Sequence, residues 1–275
     1  MWADVAEPYE AVFAKLTVYT IPFLLDAAGV ADTAVADAGV SDTAPAGTRV
    51  LDVGTGPGPV ARAAVARGAA VTAVDAEPSM VALARRNVPE ADVELAVLPE
   101  LPAQWVAARP FDAVVGNFVL NHFGQPRTAL AALRGVARPG ALIAMTFWPT
   151  ATTSGRSLKK RSFEAVGLVG ATDLPTVDAD EDYARDEAGL AALFRECGLT
   201  DVETSVIEWD HRATADEWWL PTEHGMAGAG QGYVAQSPEK KAEIKARYAE
   251  LATEMTDADG VLILPHLAIL AVGRN

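Results

Sequence analysis

Gly54, Gly56 and Gly58 follow the strand-like run 50–53, and a second run, 71–74, ends in the carboxylate of Asp75. Residues 50–58 read VLDVGTGPG and residues 71–75 read VTAVD. A glycine loop at one strand end and an acid at the next suit a nucleoside ligand. Backbone approaches the ligand at the glycines, and the carboxylate accepts from ribose hydroxyls. The spacing is G-x-G-x-G, preceded by Asp52. A dinucleotide fold requires G-x-G-x-x-G, so that a helix N-terminus meets a pyrophosphate. The third glycine of that pattern would fall at Pro59. The plain alternative is a tight βα turn with a surface aspartate.

The elements that must position these groups follow from periodicity. Strands are expected at 49–53, 71–75, 93–97, 111–116, 141–147, 201–209 and 261–272. Helices are expected near 59–67, 78–87, 126–137, 157–166, 186–197 and 238–255. Gly68, Pro89 and the Pro139-Gly140 pair read as stops and turns. Residues 2–28 have a helical pattern that Pro8 and Pro22 should break. The segment 29–47 reads as a linker and holds a near-duplication, GVADTA at 29–34 and GVSDTA at 39–44. The α/β rhythm implies a doubly wound sheet. It is interrupted twice, at 149–182 and at 212–257. Both interruptions are expected at the carboxyl edge of the sheet, where such folds bind ligands. They read as lid insertions, because the second carries Trp218, Trp219 and a glycine-rich stretch suited to hinges. The alternatives are surface decoration or a dimer interface. The expected organisation is a helical cover and linker (1–47), a core (48–148), a first lid (149–182), core again (183–211), a second lid (212–257) and a final core strand (258–275).

VLDVGTGPG (50–58), VTAVDAEPSMVALAR (71–85), FDAVVGNFVLNHF (111–123) and LRGVARPGALIAMTFW (133–148) together resemble the class I S-adenosylmethionine-dependent methyltransferases. The likeness is to the bacterial small-molecule branch, related to ubiquinone and menaquinone methyltransferases and including natural-product tailoring enzymes. It implies a Rossmann-like seven-stranded α/β sheet whose last strand is antiparallel. It also implies S-adenosyl-L-methionine as cofactor.

On that resemblance, Gly54, Thr55, Gly56 and Gly58 form the loop against the methionine part and ribose. Asp52 is similar to the acid that opens the family motif, linked to the cofactor amino group. Asp75 accepts both ribose hydroxyls. Ala76 and Met80 lie beside the adenine, although Met80 is equally readable as a core residue of the next helix. Relatives carry an aspartate in a GDAxxLP stretch. Here the stretch reads ELAVLPELP and the matching residue is Val97, which leaves the backbone of Leu98, or Glu100, for the adenine. Asn117 stands where backbone meets the cofactor amino group, and it also reads as a helix N-cap. The Asn-Pro-Pro-Tyr element of adenine and glutamine N-methyltransferases is absent. Tyr9 and Thr17 resemble positions that bond the cofactor carboxylate.

Transfer from a sulfonium needs in-line placement of the acceptor, exclusion of water and, for some acceptors, a base. His122 and His224 are the candidate bases. A packing or capping role competes for His122. His211 and His266 read as strand-end or surface residues. Trp148, Trp218 and Trp219 are the candidate acceptor residues. Lys159-Lys160-Arg161 reads first as a solvated helix face, with an acceptor anion as the alternative.

The chain has 275 residues, half of them hydrophobic, and a net charge of −15. That charge repels a phosphate backbone and argues against nucleic acid. Cys197, the single cysteine, rules out an internal disulfide. No His/Cys/Asp cluster has metal-ligand spacing, so no metal is expected. The N-terminus lacks a basic leader and no run is long enough to span a membrane, so a soluble cytoplasmic protein is expected. The apolar N-terminal helices allow a homodimer. The expected function is methyl transfer to a small, partly apolar metabolite. Two alternatives remain: a methyltransferase fold that binds the cofactor but catalyses a non-methylating step such as a cyclisation, and a nicotinamide oxidoreductase, which Pro59 opposes.

Overall fold

The computed structural model describes residues 6–31, 47–108, 110–168 and 177–275. Most of the GVADTA/GVSDTA duplication lies outside the described residues. Helices α1 (Ala6–Thr17) and α2 (Ile21–Ala27) come first, joined by a 3-10 turn at Val18–Thr20. Then come β1 (Arg49–Val53), α3 (Pro59–Ala66), β2 (Ala70–Asp75), α4 (Pro78–Asn87), β3 (Asp92–Leu95), α5 (Ala103–Ala108), β4 (Phe111–Asn117), α6 (Pro126–Val136) and β5 (Ala137–Phe147). The remainder is α7 (Ser154–Glu164), α8 (Glu187–Glu196), β6 (Thr200–Ala213), α9 (Ala215–Glu223), α10 (Ala227–Val234), α11 (Pro238–Thr253) and β7 (Leu262–Arg274).

The seven strands form one sheet in the order β3-β2-β1-β4-β5-β7-β6. β1 pairs in parallel with β2 and β4, and β4 with β5. β7 runs antiparallel to β5. The central strands read as near-continuous apolar runs because helices cover both faces. Val50, Leu51 and Val53 of β1 and Ala113, Val114 and Val115 of β4 are all at most 2% exposed. Burying each of the larger side chains stabilises the fold by about 1.5–3 kcal/mol. Proline stands in the first turn of α3, α4 and α6, where a missing amide costs no helical bond.

Several boundaries differ from expectation. Pro8 does not break α1, since it falls in the first turn; Pro22 falls in the first turn of α2. Pro139-Gly140 lies inside β5, where the pairing with β4 shifts register between Phe111 and Ala113. β6 runs on to Ala213 and β3 stops at Leu95. Helix α5 has no expected counterpart, because none of its residues is buried and it offers no apolar periodicity.

The chain divides into two compact units. A sheet unit comprises Thr17–Thr150, Pro175–Ile207 and Ala268–Asn275; an insertion unit comprises Met1–Leu16, Ala151–Leu174 and Glu208–Leu267. The sheet unit's core is built on Leu51, Val114, Leu130, Leu133, Ile143, Phe147 and Phe194. In the insertion unit, α7 packs on α11 and α9 on α10. Trp219 is 1% exposed and lies between Tyr233 (ring centroids 5.3 Å) and Tyr248 (4.4 Å). Tyr248 Oη donates to the Ala215 carbonyl at 2.8 Å, tying α11 to the start of α9. Thr214 and Glu217 form a capping box on α9.

The glycine-rich stretch expected as hinges is helical instead. Gly230 lies within α10, and a Cβ there would sit 2.4 Å from the Gly225 carbonyl carbon. Close packing, not hinge freedom, accounts for that glycine. No helix among the described residues is long and apolar enough to cross a membrane.

Trp219→Ala removes the centre of this aromatic cluster. It should destabilise the protein by about 3–5 kcal/mol in chemical denaturation.

Candidate functional site

The strand order reverses between β1 and β4, and the glycine loop leaves β1 at that switch point. Gly54, Gly56 and Gly58 all have positive φ (66°, 54° and 93°), which L side chains resist. Gly54 is required twice over. A Cβ there would lie 2.3 Å from Cγ2 of Val119, which follows β4. Thr55 anchors the loop from within. Its amide donates to the Val74 carbonyl at 3.0 Å and its hydroxyl to Asp52 Oδ2 at 2.7 Å. The Gly56 amide donates to Asp75 Oδ2 at 2.8 Å, and the Glu77 amide to Asp75 Oδ1 at 2.9 Å. The sequence-expected loop residues and both acids therefore meet at one strand edge.

The two acids differ in environment. Asp52 is fully buried, and its Oδ1 has no donor in hydrogen-bond geometry. Burial pushes its pKa up to about 7, against the Thr55 hydroxyl and the Ala61 amide, which pull it down; the charge of Asp75 adds a further push upward. Asp75 is half-buried. Burial raises its pKa, opposed by the amides of Glu77, Gly56 and Ala76. Each Asp75 oxygen takes one amide, which leaves lone pairs for further donors.

Asn117, at the end of β4, does not cap a helix. Its Nδ2 donates to the Thr17 carbonyl at 3.0 Å, and its Oδ1 accepts from the hydroxyls of Thr20 (2.7 Å) and Thr146. The N-cap reading fails because the 3-10 turn over Leu120–His122 starts three residues later, with Val119 at its N-cap position. Thr17 is buried and enters this network through its carbonyl. Met80 is 4% exposed, Ala76 is exposed and Leu98 is half-buried. Val97, at the position where relatives carry an acid, is 55% exposed. His122 is exposed on its 3-10 turn. Trp148, just past β5, is half-buried and stacks on Phe118 at 4.0 Å.

The remaining expected residues belong to the insertion unit. Tyr9 stacks on Phe13 at 5.7 Å. His224 is exposed, and its Nδ1 lies 3.2 Å from the Leu220 carbonyl, to which it can only donate. Trp218 is 4% exposed in a ring cluster with His211 (5.5 Å) and His266 (5.6 Å), and Trp209 stacks on His266 at 5.6 Å. His266 is not a surface residue. It is 3% exposed because β7 brings it beneath two tryptophans. Burial drives its pKa down to about 4, the Leu264 carbonyl opposes this, and His211, Arg156 and Lys159 add to the fall. His211 is half-buried, and its pKa falls through burial against the pull of Glu217.

The basic run also divides. Lys160 pairs with Glu164 and Arg161 with Glu254, as on a solvated face. Lys159 instead lies over the rings of Trp218 (4.3 Å) and Phe13 (5.6 Å). Sequence reading missed Phe118, Val119, Asn121 and Thr146. Only Asn121, beside the noted His122, and Thr146, inside an apolar run, are polar. Among the described residues, no group of three His, Cys, Asp or Glu is placed to hold a metal ion.

A family model described as a methyltransferase domain matches residues 51–145. A ubiquinone biosynthesis O-methyltransferase of Xylella fastidiosa is 31% identical over 176 residues, covering 61% of this chain and 68% of its own. The chain belongs to the class I S-adenosylmethionine-dependent methyltransferases. An uncharacterized methyltransferase of Mycobacterium bovis is 34% identical over 140 residues, covering 48% of this chain and 67% of its own. The solved YcgJ protein of Bacillus subtilis shares the fold, with a TM-score of 0.51 at 16% identity over 94% of this chain and 98% of its own. The cofactor of this methyltransferase is S-adenosylmethionine, and the residues present fit it. A left-handed glycine loop lies over an orphaned, buried carboxylate oxygen, a combination suited to a ligand that is cationic at its methionine end.

Because the native pKa of Asp52 lies above its unfolded value near 3.8, its protonated form contributes stability below that value. That contribution is lost as pH rises through about 7. The ligand-free wild type should lose thermal stability between these limits relative to Asp52→Asn, whose profile lacks this slope. Gly54→Ala should cost about 2–4 kcal/mol through left-handed strain and overlap with Val119, and Gly54→Ala/Val119→Ala should recover part of it in a double-mutant cycle.

Proposed function

We propose that this methyltransferase carries a methyl group to a small, partly apolar metabolite by in-line displacement, in natural-product biosynthesis. The observation that carries this reading is the joined pair of the glycine loop and Asp75 at the switch point. Bound there, S-adenosylmethionine supplies an electrophilic methyl group on a sulfonium. Asp52 and the loop residues Gly54, Thr55, Gly56 and Gly58 would hold its amino-acid end, with Tyr9 and Thr17 assigned to the carboxylate. Asp75 would take the ribose hydroxyls. Ala76, Met80, Leu98 and the backbone of Asn117 would complete the contacts.

The acceptor is assigned to Trp148, since Trp218 and Trp219, the other candidates, are 4% and 1% exposed and packed as core rings of the insertion unit. The ring-rich insertion unit and the net charge of −15 favour a small apolar molecule over a polyanion. The Xylella relative's description as a ubiquinone biosynthesis O-methyltransferase supports a hydroxyl acceptor. A hydroxyl must lose its proton, and His122 or His224 is the base. Exposed Val18, Tyr19 and Phe23, 43%, 48% and 46% uncovered, support a homodimer through this segment.

Calorimetry with S-adenosylmethionine and S-adenosylhomocysteine tests the cofactor residues. The wild type should bind both, and Asp75→Ala should bind at least about tenfold more weakly. Incubation with methyl-labelled cofactor and a cell extract tests transfer. Label entering a small organic product is expected; a modified product without label would show a non-methylating step instead.

A further inference from the structure

Trp148 stands just outside the sheet. The last β4–β5 pair joins Asn117 with Thr146, and the last β5–β7 pair joins Phe147 with Ile269. Beyond both ladders, a side chain takes over the role of a strand. The Trp148 amide donates to Asn121 Oδ1 at 2.8 Å, and Asn121 Nδ2 donates to the Trp148 carbonyl at 3.0 Å. One carboxamide thus reproduces the two-bond exchange of an antiparallel pair. Asn121 is 5% exposed, and a buried amide is tolerable only when both ends are bonded, as they are here.

Those two bonds fix the Trp148 backbone, and Phe118 holds the indole itself. Phe118 has φ +59°, a conformation in which an aromatic residue is a genuine outlier. Its amide donates to Thr146 Oγ1 at 3.0 Å and to the Thr146 carbonyl at 3.2 Å, and its ring lies against Trp148 at 4.0 Å and 15°. A purely packed strand end needs neither a buried Asn at 121 nor left-handed backbone at 118. Both features converge on one half-buried indole at the edge where this fold performs its chemistry.

We propose that Asn121 and Phe118 are positioning residues that hold the Trp148 indole as a fixed stacking platform for the methyl acceptor. The inference rests on the assignment of Trp148 to the acceptor. A ring fixed in advance loses little conformational freedom when a second planar ring stacks on it, so the platform favours an unsaturated acceptor over a saturated one of equal size.

The test uses the full chain carrying 5-fluorotryptophan, with and without S-adenosylhomocysteine, and fluorine NMR with the Trp148 signal assigned from Trp148→Phe. The probes are 2-naphthol and decahydro-2-naphthol. The expected result is that 2-naphthol shifts the Trp148 signal and the saturated probe does not. Asn121→Ala should broaden that signal and weaken 2-naphthol binding about tenfold, with S-adenosylhomocysteine affinity unchanged. Asn121→Asp, which keeps the acceptor for the Trp148 amide but loses the donor, should fall between and serves if the alanine variant does not fold. Equal shifts with both probes, no shift with 2-naphthol, or an unchanged Trp148 signal in both Asn121 variants would overturn the platform. Failure of the wild type to bind S-adenosylhomocysteine would count against the cofactor residues alone, since the naphthol arm without cofactor still decides the platform.

Discussion

Val119 fills the space that two glycines leave empty. A Cβ on Gly54 would meet its Cγ2 at 2.3 Å, and one on Gly116 would meet its Cγ1 at 2.7 Å. The glycine loop after β1 and the segment after β4 are therefore pressed together at the switch point of the sheet. From this contact the loop turns in left-handed conformation, and Gly56 presents its amide to Asp75 on β2. The same contact fixes where β4 ends, and so where Asn117 and Phe118 begin. Interiors this dense have few intermediate arrangements, so the steric fit specifies the backbone as firmly as any hydrogen bond.

A short polar chain extends that constraint across the sheet. The Phe118 amide donates to the Thr146 hydroxyl, which donates to Asn117, whose amide donates to the Thr17 carbonyl. The end of β4, the end of β5 and the N-terminal segment are thus registered by bonds that a hydrophobic contact could not orient. Buried networks of this kind act as a unit, because breaking one member leaves another unsatisfied in a low-dielectric setting. Beneath the loop, Asp52 is the counter-example. One of its oxygens is satisfied by Thr55 and the other is not. Burial without a full set of donors raises the pKa of such a carboxyl, and a positive charge beside it would lower it again.

The insertion unit is held differently. Its centre is aromatic, with Trp219 between two tyrosines and Trp218 beside two histidines and Lys159. His266 illustrates the cost of such an interior. Its Nδ1 lies 2.7 Å from the Leu264 carbonyl, and burial keeps the ring neutral. In α10, Gly230 abuts the backbone of Gly225, which leaves no room for a Cβ.

The sequence alone determined the α/β alternation, the glycine loop with its Asp52 and Asp75 partners, and the family to which they belong. These features are local: apolar runs of strand length, glycines where the backbone turns left-handed, and an acid at a strand end. Tertiary structure alone decided the rest. Asn117 reads as a cap until Thr17, Thr20 and Thr146 are seen around it. His266 reads as a surface residue until β7 carries it under Trp209 and Trp218. Phe118 carries no pattern and Asn121 no more than a polar side chain, since backbone strain and a side chain standing in for a strand depend on partners distant in the chain. Hydrogen-bond and packing partners across the sheet are long-range choices, and periodicity records only which face a residue turns to the core, not what it meets there.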